Sequence, residues 1–465
     1  MTNTRKVDRI APEPRKLFGT DGIRGRANDH PMTPEMALQL GRAVAHVFKR
    51  TEGSARPRIV IGKDTRLSNY MFETALQAGI CSMGVDAVQL GVLPTPGIAF
   101  MTTGMRADAG VVISASHNPY DDNGIKFFAA DGFKLPDDVE SQIEELVATD
   151  GLFQHRAHGG DIGRAYRIQD AVGRYSVFLK STFPRLLDLD GLRVVVDCAN
   201  GAAYKVAPEV LQELGAEVIP MGTSPDGTNI NDGVGALHPD GMARRVRALR
   251  ADVGIALDGD ADRCILCDET GAIVDGDRIL LLLARRLKAR GQLRHDTVVA
   301  TVMSNLGLER ALAKEGIRME RAQVGDRYVV EAMREKGYNL GGEQSGHLVL
   351  TDFATTGDGL LAALQVLAEM AEKRKPLSEV AAGLETVPQV LESVRVARKP
   401  PLETVPAIAR TIAAAEATLG SAGRVVVRYS GTEKKCRVML EGDDDGVIRA
   451  LARDIVDAIV SELGT

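Results

Sequence analysis

Three aspartates at alternate positions are the densest group of chemically active side chains in this sequence. The segment VGIALDGDADRCILCDETG places Asp258, Asp260 and Asp262 directly after an apolar run that is typical of a strand. Three carboxylates this close repel one another strongly unless a cation or protons intervene. Ligands that offer only oxygen favour a hard ion, and Mg²⁺ above all where a phosphate completes the shell. The spacing therefore predicts a Mg²⁺ site rather than a solvated acidic turn.

A calcium-binding EF-hand is the alternative metal loop for this segment, because Glu269 stands where such a loop has its last ligand. Arg263, however, occupies the turn position at which an EF-hand needs glycine. Strand-like runs rather than helices flank the loop, and we therefore reject this alternative. Cys264 and Cys267 are predicted to be buried or half-buried thiols, since no second cysteine pair exists to complete a zinc site.

A second group of polar side chains follows another apolar strand, in the stretch AGVVISASHNPYDDNGIKFF. Ser116 and His117 stand at the end of that strand, before a proline that keeps Asn118 extended. There is no G-x-S-x-G elbow for acyl transfer. Beside a metal triplet and a glycine- and arginine-containing loop suited to phosphate, RYSGTEKKCR, Ser116 is better interpreted as a phosphoryl carrier, with His117 and Lys126 as candidates to stabilise charge or move protons. A serine that caps a turn is the alternative.

The segment RYSGTEKKCR has the composition of a phosphate-binding loop. Its hydroxyls, its glycine turn and its arginine forks are the groups that a phosphate dianion needs. These groups belong to Arg428, Ser430, Gly431, Thr432 and Arg437. Taken alone, the segment is equally compatible with an ordinary β-turn, and the metal site elsewhere favours phosphate binding.

Three further glycine-rich segments carry polar side chains: FGTDGIRG has Arg24, GKDTR has Lys63 and Arg66, and GGEQSGH has Glu343, Ser345 and His347. In GGEQSGH, the carboxylate of Glu343, the hydroxyl of Ser345 and the imidazole of His347 together suit hydrogen bonding to a polyol. Each of these segments, in isolation, is also compatible with a capped turn.

The bulk composition excludes several classes of protein. With 57 Lys and Arg against 63 Asp and Glu, the net charge of −6 gives no general attraction to nucleic acid or anionic membranes. No apolar run reaches the length of a membrane span, and the first residues lack the apolar segment of a signal peptide. Five scattered cysteines favour reduced thiols. We therefore expect a cytoplasmic protein whose partners include neither nucleic acid nor a membrane.

Three segments of the chain repeat one pattern of strand, polar loop, amphipathic helix, glycine and strand. They begin at RPRIVIGKDTR, LRVVVDCANG and TVVATVMSNLG, and their helices stop at Gly84, Gly215 and Gly316. This is the pattern of a βαβ unit, and its recurrence predicts three similar α/β domains with mixed sheets.

The last part of the chain follows a different pattern. GRVVVRYSGTEKKCRVMLEG reads as two strands around a loop, and a helix follows it. We expect this helix to bury one stripe at i, i+4 spacing, formed by Val447, Leu451, Ile455, Ile459 and Leu463. The fold class predicted for the whole chain is α/β, with three similar α/β domains and a smaller C-terminal α+β domain.

Taken together, the motifs resemble the α-D-phosphohexomutase superfamily. FGTDGIRG, ISASHNP, DGDADR, GGEQSGH and RYSGTE occur in that family's order and spacing, from about Lys16 to the C-terminus. Within it, MSNLGL, VGDRYV and the GGEQSGH form of the sugar loop resemble the bacterial members that act on glucosamine phosphate. Members acting on mannose or glucose phosphates usually carry a different residue at the position of Gln344. Two features depart from the family: Lys434-Lys435 stands where members commonly have proline, and a polar extension precedes the first motif.

The resemblance implies four domains around a central cleft, each giving one loop. The implied catalytic residues are Ser116, His117, Lys126 and Arg24; the metal ligands are phospho-Ser116, Asp258, Asp260 and Asp262; the sugar-binding residues are Glu343, Ser345 and His347; the phosphate-binding residues are Arg428, Ser430, Gly431, Thr432 and Arg437. The predicted segments are the extension at 1–15, domain I at 16–165, domain II at 166–269, domain III at 270–384 and domain IV at 385–465.

The implied reaction converts glucosamine 6-phosphate to glucosamine 1-phosphate, a step toward bacterial cell-wall precursors. Phospho-Ser116 would donate its phosphoryl group, and a glucosamine or glucose 1,6-bisphosphate would serve as intermediate or activator, with Mg²⁺ as cofactor. The implied partners are sugar phosphates and a priming phosphate donor for Ser116, and a homodimer is left open. A phosphomannomutase or phosphoglucomutase of the same superfamily is the alternative, followed by a non-catalytic sugar-phosphate-binding protein.

Overall fold

The computed structural model of the chain describes residues 17–19, 21–49, 56–430 and 434–464. Within these residues the chain forms four β-sheets with helices packed against them. The first three sheets combine parallel with antiparallel pairing, and the fourth is antiparallel. The predicted fold class is therefore confirmed. The extension at residues 1–15 lies outside the described residues, and no described helix is both long and apolar enough to cross a membrane.

The first sheet has six strands: β1 (Ile23–Arg26), β2 (Arg58–Lys63), β3 (Asp86–Val92), β4 (Ala109–Ile113), β5 (Asp122–Ala129) and β6 (Ala165–Arg167). Its helices are α1 (Pro34–Phe48), α2 (Asn69–Ser82), α3 (Thr95–Gly104) and α4 (Asp137–Ala148). The strand order is β1-β5-β4-β2-β3-β6, in which β2 runs parallel to both β3 and β4. GKDTR, which begins within β2, and SASHNP, which follows β4, therefore leave the sheet at the same end, the carboxyl end of these strands.

The second sheet has five strands: β7 (Arg193–Asp197), β8 (Glu217–Met221), β9 (Val253–Leu257), β10 (Cys264–Asp268) and β11 (Ile273–Val274). Its helices are α5 (Ala171–Thr182), α6 (Val206–Glu213) and α7 (Asp240–Leu249). The strand order is β11-β10-β9-β7-β8. The antiparallel turn from β9 to β10 carries the aspartate triplet, and Cys264 and Cys267 on β10 are both buried, as predicted.

The third sheet has four strands: β12 (Thr297–Thr301), β13 (Arg318–Ala322), β14 (Leu340–Gly342) and β15 (Leu348–Leu350). Its helices are α8 (Gly276–Ala289), α9 (Leu306–Lys314), α10 (Asp326–Lys336), α11 (Gly359–Lys373) and α12 (Leu377–Val380). The strand order is β13-β12-β14-β15. Helix α11 is buried on all sides along residues 359–370 because it packs against both α5 and α8, and it joins the second and third units in one core.

The fourth sheet has three strands, β16 (Gln389–Arg395), β17 (Gly423–Tyr429) and β18 (Lys435–Gly442), in the order β16-β18-β17. Its helices are α13 (Pro406–Leu419) and α14 (Asp445–Leu463). The two strands and the final helix read from the sequence are β17, β18 and α14. Strand β16 and helix α13 were not predicted; most of β16 is exposed or half-buried and gives little apolar signal.

The buried stripe of α14 differs from the predicted one at its N-terminal end. Val447 is 40% exposed, and Ile448 and Ala452 are buried in its place, whereas Ile455 and Ile459 are buried as expected. Four residues turn an α-helix by about 40° more than one full turn, so a strict i, i+4 series drifts off the face that it starts on. The real stripe corrects this drift with one step of three residues, from Ala452 to Ile455.

All three predicted repeats are present as β2-α2-β3, β7-α6-β8 and β12-α9-β13, each with parallel strands. The glycines predicted to end the helices, Gly84, Gly215 and Gly316, have φ of 84°, 102° and 67°. Only glycine adopts this left-handed backbone without strain, and it ends a helix for that reason.

Buried polar contacts hold the fourth sheet against the third. Arg424 on β17 donates from Nε to Glu441 Oε2 at 2.6 Å and from Nη1 and Nη2 to the carbonyl oxygens of Val302 and Ser304 at 2.8 and 2.7 Å.

Asp277 on α8 accepts from the Asn305 N–H at 2.8 Å. Burial is the main reason that the pKa of Asp277 is raised to about 7, and its Oδ1 accepts no hydrogen bond within the described residues.

We predict that Asp277→Asn removes a pH-dependent loss of stability. The folded chain holds the Asp277 proton up to about pH 7, whereas the unfolded chain releases it near pH 4. The Asp277 contribution to wild-type stability therefore falls as the pH rises from 4 through 7, by about 4 kcal/mol in total. Calorimetry at pH 5, 6, 7 and 8 should show Asp277→Asn gaining Tm on wild type as the pH rises.

The exposed Asp457 on α14 provides the matched control, because its carboxylate is in contact with solvent and its replacement by an amide removes no buried charge. Asp457→Asn should follow the wild-type profile. Parallel profiles for Asp277→Asn and wild type would show that Asp277 is not a buried acid with a raised pKa.

Candidate active site

Ser116 lies three residues beyond β4, in a turn at the carboxyl end of that strand. Its φ is 51°, a left-handed conformation for a residue that is not glycine, and it is buried. Its Oγ donates to Asp258 Oδ2 at 2.6 Å, although the two residues belong to different sheets. The turn therefore delivers the serine hydroxyl directly to the aspartate triplet.

The three aspartates fit a divalent cation. Asp258, Asp260 and Asp262 are buried, and one carboxylate oxygen of each lies within 4.8 Å of the others. Oδ1 of Asp260 and Oδ1 of Asp262 accept no hydrogen bond from the part of the chain that the structure describes. Burial and the neighbouring carboxylates raise the pKa of both Asp258 and Asp262. A cation bound to these oxygens would relieve that repulsion.

Lys126 on β5 supplies positive charge next to the triplet. Its Nζ lies 3.0 Å from Asp260 Oδ2, 3.0 Å from Asp21 Oδ2 and 3.8 Å from Asp262 Oδ2. Burial disfavours the ammonium, but the surrounding carboxylates outweigh it and raise the pKa of Lys126 above its ordinary value. In this arrangement Lys126 is a fixed cation that stabilises negative charge.

Asp21 joins the remaining basic residues to this cluster. It pairs with Arg24, Lys126 and Lys134, and these cations keep the pKa of Asp21 well below its usual range although burial opposes them. Lys134 also pairs with Asp326 at the start of α10, in the third unit. Burial disfavours the Arg24 guanidinium, but Asp21 and the nearby aspartates raise its pKa above the ordinary value.

His117 stands beside the serine as a neutral imidazole. Its Nδ1 lies 3.4 Å from Ser116 Oγ. Burial first, and then the nearby Arg263 and Arg24, lower the pKa of His117 to about 3. A neutral ring can accept or relay a proton but adds no positive charge to the site.

The GGEQSGH loop joins β14 to β15 and does not present its polar side chains in one direction. Glu343 accepts from the Gly325 N–H at 3.1 Å and from Ser345 Oγ at 3.2 Å, and Ser345 is exposed. His347, by contrast, is buried, and its Nε2 lies 3.5 Å from Asp326 Oδ2 and 4.0 Å from Asp262 Oδ2. Gln344 donates to Asp275 Oδ2 at 3.4 Å, at the N-terminus of α8.

The phosphate loop is described only in part, because Gly431 and Thr432 lie outside the described residues. Arg428 on β17 stands directly opposite Arg437 on β18, and burial together with Arg437 lowers the pKa of Arg428. The N–H of Ser430 donates to the Lys435 carbonyl at 2.9 Å. Two arginines facing each other across a ladder repel unless an anion lies between them.

The structure thus brings Ser116, Lys126 and the triplet into one buried cluster, with the half-buried Arg24 and His117 beside it and His347 at its border. Sequence reasoning missed three residues of this cluster: Asp21, Thr95 and Lys134. Thr95 begins α3 and donates from Oγ1 to Asp260 Oδ2 at 2.7 Å, while its N–H donates to the Asp260 carbonyl at 3.0 Å. Asp21 stood within FGTDGIRG and could have been noticed there, whereas Thr95 and Lys134 carry no local signal.

Models of the phosphoglucomutase/phosphomannomutase family match the chain in four consecutive segments. The alpha/beta/alpha domains I, II and III match residues 15–152, 175–271 and 275–387, and the C-terminal domain matches residues 391–458. Fold and site therefore define a phosphohexomutase, an isomerase that works by phosphoryl transfer. Phosphoglucosamine mutase from Anaeromyxobacter sp. is 61% identical over 458 residues, which cover 98% of this chain and 97% of the relative. The chain belongs to the phosphoglucosamine mutase family.

Solved structures share the fold at lower identity. A phosphoglucomutase/phosphomannomutase family protein from Burkholderia thailandensis has a TM-score of 0.79 at 23% identity, covering 96% of this chain and 99% of that one. N-acetylphosphoglucosamine mutase from Aspergillus fumigatus, solved in complex with GlcNAc-6P and magnesium, has a TM-score of 0.65 at 18% identity, covering 96% of each chain. These likenesses support the four-unit fold.

We predict that Thr95→Val weakens cation binding at the triplet. The hydroxyl of Thr95 orients Asp260, and loss of a hydrogen bond that orients a metal ligand typically costs about 10–100-fold in metal affinity. Valine keeps the shape of threonine and the backbone contact to Asp260. Mn²⁺ binding followed by electron paramagnetic resonance measures the affinity without relying on turnover.

Thr103→Val is the matched control on the same helix, because Thr103 is exposed and its Oγ1 donates to the Phe100 carbonyl of its own helix rather than to the triplet. It should bind Mn²⁺ like wild type. Equal Mn²⁺ affinity for Thr95→Val and wild type would show that Thr95 does not orient the triplet.

Proposed function

We propose that the chain interconverts glucosamine 6-phosphate and glucosamine 1-phosphate through phospho-Ser116 and a 1,6-bisphosphate intermediate. The observation that carries this proposal is the position of Ser116 Oγ, 2.6 Å from the buried aspartate triplet. A serine hydroxyl that contacts one of three clustered carboxylates able to hold a cation suits phosphoryl transfer and does not suit acyl transfer. The close relative named phosphoglucosamine mutase supports the amino sugar as substrate.

The chemistry proceeds by two transfers. In the first, the free hydroxyl of the sugar phosphate attacks the phosphorus of phospho-Ser116, the bond from phosphorus to Ser116 Oγ breaks, and the hydroxyl proton is released. The bisphosphate then turns within the cleft, and Ser116 Oγ attacks the phosphorus of its other phosphate. The bond from that phosphorus to the sugar oxygen breaks, and the sugar oxygen takes up the proton released in the first transfer. Lys126 and Arg24 stabilise the negative charge of the transition state.

We assign the cation site to Asp258, Asp260, Asp262 and the Ser116 phosphate, with Mg²⁺ as the cation. When bound, Mg²⁺ would supply positive charge to the phosphoryl group in transfer. The hard oxygen ligands suit this ion, and the Aspergillus fumigatus relative was solved with magnesium. The chain's own contribution is to hold the carboxylates together with Thr95 and Lys126.

The remaining motifs bind the substrate. Glu343 and Ser345 contact the sugar, where a carboxylate suits the ammonium group of glucosamine. His347 lies at the buried border of this site, between Asp262 and Asp326. The unreacting phosphate is held by Arg428, Ser430, Gly431, Thr432 and Arg437. Either end of the bisphosphate can occupy this one phosphate site, which explains how both transfers use a single serine.

The same proposal includes the cellular setting. A phosphate donor primes Ser116, and glucosamine or glucose 1,6-bisphosphate restores the phosphate when it is lost. The product feeds amino-sugar nucleotide precursors of the cell wall, in the cytoplasm. A homodimer remains a prediction, which sedimentation velocity of the purified protein tests directly.

We predict that active enzyme carries one phosphate, on Ser116, and that Ser116→Ala loses nearly all turnover, because alanine removes the oxygen that contacts Asp258 Oδ2 and that is proposed to carry the phosphoryl group. Intact-mass and peptide mass spectrometry locate the phosphate, and a coupled assay measures turnover. Ser141→Ala, an exposed serine on α4, should retain both phosphate and activity. Full activity in Ser116→Ala would reject the phosphoserine mechanism.

We predict that glucosamine phosphate is preferred over glucose phosphate by about 10–200-fold in kcat/KM, since one polar contact to a substrate is worth about 1–3 kcal/mol. Steady-state kinetics on glucosamine, glucose and mannose phosphates measure the preference. Equal kcat/KM for glucosamine and glucose phosphates would move the chain to the broader phosphomannomutase and phosphoglucomutase class. No turnover of any of the three would favour a non-catalytic sugar-phosphate-binding protein.

A further inference from the structure

The backbone of the Ser116 turn directs its carbonyl oxygens toward one buried arginine. Arg66, from GKDTR, has no solvent exposure, and its Nη2 donates to the carbonyls of Ser116 and Asn118, both at 2.9 Å. Its Nη1 donates to the carbonyl of Asp122 at 3.1 Å and also to that of Pro119. One guanidinium therefore gathers four carbonyls from seven consecutive residues.

Asp64 fixes the arginine and ties it to the serine a second time. Its Oδ2 accepts from Arg66 Nε at 2.9 Å and from Ser114 Oγ at 2.6 Å. The same Ser114 Oγ accepts from the Ser116 N–H at 2.9 Å. Both backbone polar groups of Ser116 thus end on the Asp64–Arg66 pair, which is itself fully buried.

A side chain from the second unit donates hydrogen bonds to the same carbonyls of Ser116 and Asn118. Asn231, in the segment between β8 and α7, donates from Nδ2 to the carbonyl of Ser116 at 2.9 Å and to that of Asn118 at 3.1 Å. Gly259, in the aspartate loop, allows this approach, because a Cβ there would stand 2.5 Å from the Ser116 carbonyl oxygen and 2.8 Å from Asn231 Nδ2. Arg66 of the first unit and Asn231 of the second unit therefore form a clamp on the carbonyl groups of the serine turn.

This clamp explains a conformation that is otherwise unfavourable. A left-handed backbone costs an L-residue other than glycine roughly 1–2 kcal/mol, and such a residue persists only where its surroundings fix it. At φ of 51°, Ser116 directs its Oγ at Asp258, while its carbonyl faces Arg66 and Asn231.

We propose that Arg66 and Asn231 are positioning residues for the phosphoryl carrier: they hold the Ser116 turn in its left-handed form, so that Oγ faces the aspartate triplet. This proposal rests on the proposed role of Ser116 as the carrier. It gives the GKDTR motif a function away from the substrate, and it makes the geometry of Ser116 depend on contact between the first and second units.

The test replaces the clamping amide with its acidic isostere. Asn231 has φ of 60°, a conformation that aspartate tolerates as asparagine does, but Asn231→Asp presents acceptors instead of donors to the two carbonyls. Because a misplacement of about 1 Å can cost 10²-fold in rate, kcat should fall by about 10²-fold, with KM within about threefold of wild type. Rapid-quench transfer from labelled glucose 1,6-bisphosphate to Ser116 should slow equally, and substrate binding should stay close to wild type even though the buried carboxylate lowers Tm.

Asn229→Asp is the matched control, because Asn229 lies two residues away and its Nδ2 donates only to the Ser224 carbonyl within the described residues. It should transfer phosphate at the wild-type rate. Arg66→Lys, which keeps a charge beside Asp64 but cannot reach four carbonyls, should also lower kcat. The double variant should lose less than the product of the two losses, since both residues hold the same carbonyls.

The outcomes separate this proposal from the one on which it rests. If wild type carries no phosphate on Ser116, the carrier role itself is wrong. If wild type is phosphorylated and folded Asn231→Asp transfers at the wild-type rate, only the positioning role is wrong. A parallel loss of Tm, kcat and substrate binding in both Asn231→Asp and Arg66→Lys would likewise overturn positioning in favour of a purely structural contact.

Discussion

The burial of three carboxylates in one loop is the constraint on which the rest of this structure depends. A buried, unpaired charge is far too costly to persist, so a chain that buries several must surround them with opposite charge. Here the charges alternate along one path: Asp260, Lys126, Asp21, Lys134 and Asp326. The path runs from the second sheet through the first to the third. The site is thus held by the same ion pairs that hold the three units together.

Parallel βαβ units explain how the loops meet. Strands β2 and β4 run parallel, so GKDTR and the Ser116 turn emerge side by side and Arg66 can reach the carbonyls of the turn. The aspartate loop joins β9 to β10 and meets that edge through Gly259. Ligand sites form at such strand ends because the loops there are free of the sheet's own hydrogen bonds.

Local features of the fold and site could be read from the sequence, whereas features that depend on packing between units could not. The glycine stops, the three repeats and the aspartate triplet are each determined by neighbours within a few residues. Thr95 and Lys134 act on partners 165 and 192 residues away, Asp260 and Asp326 respectively, and no periodicity signals such a contact. His347 is in the same loop as Glu343, but its imidazole lies near Asp262 and Asp326, and the sequence gives no signal of these contacts between units.

The fourth unit presents the opposite electrostatic problem to the triplet. Arg428 and Arg437 face each other across β17 and β18, and like charges at directly opposed positions destabilise a ladder. One loop thus gathers negative charge, and one strand pair places two positive charges opposite each other. In the proposed reaction the bisphosphate satisfies both, with one phosphoryl group at Ser116 and the other at the arginines. Arg424 and Glu441 on the same strands contact the third unit, so the proposed reaction requires the substrate to turn while these strands stay in place.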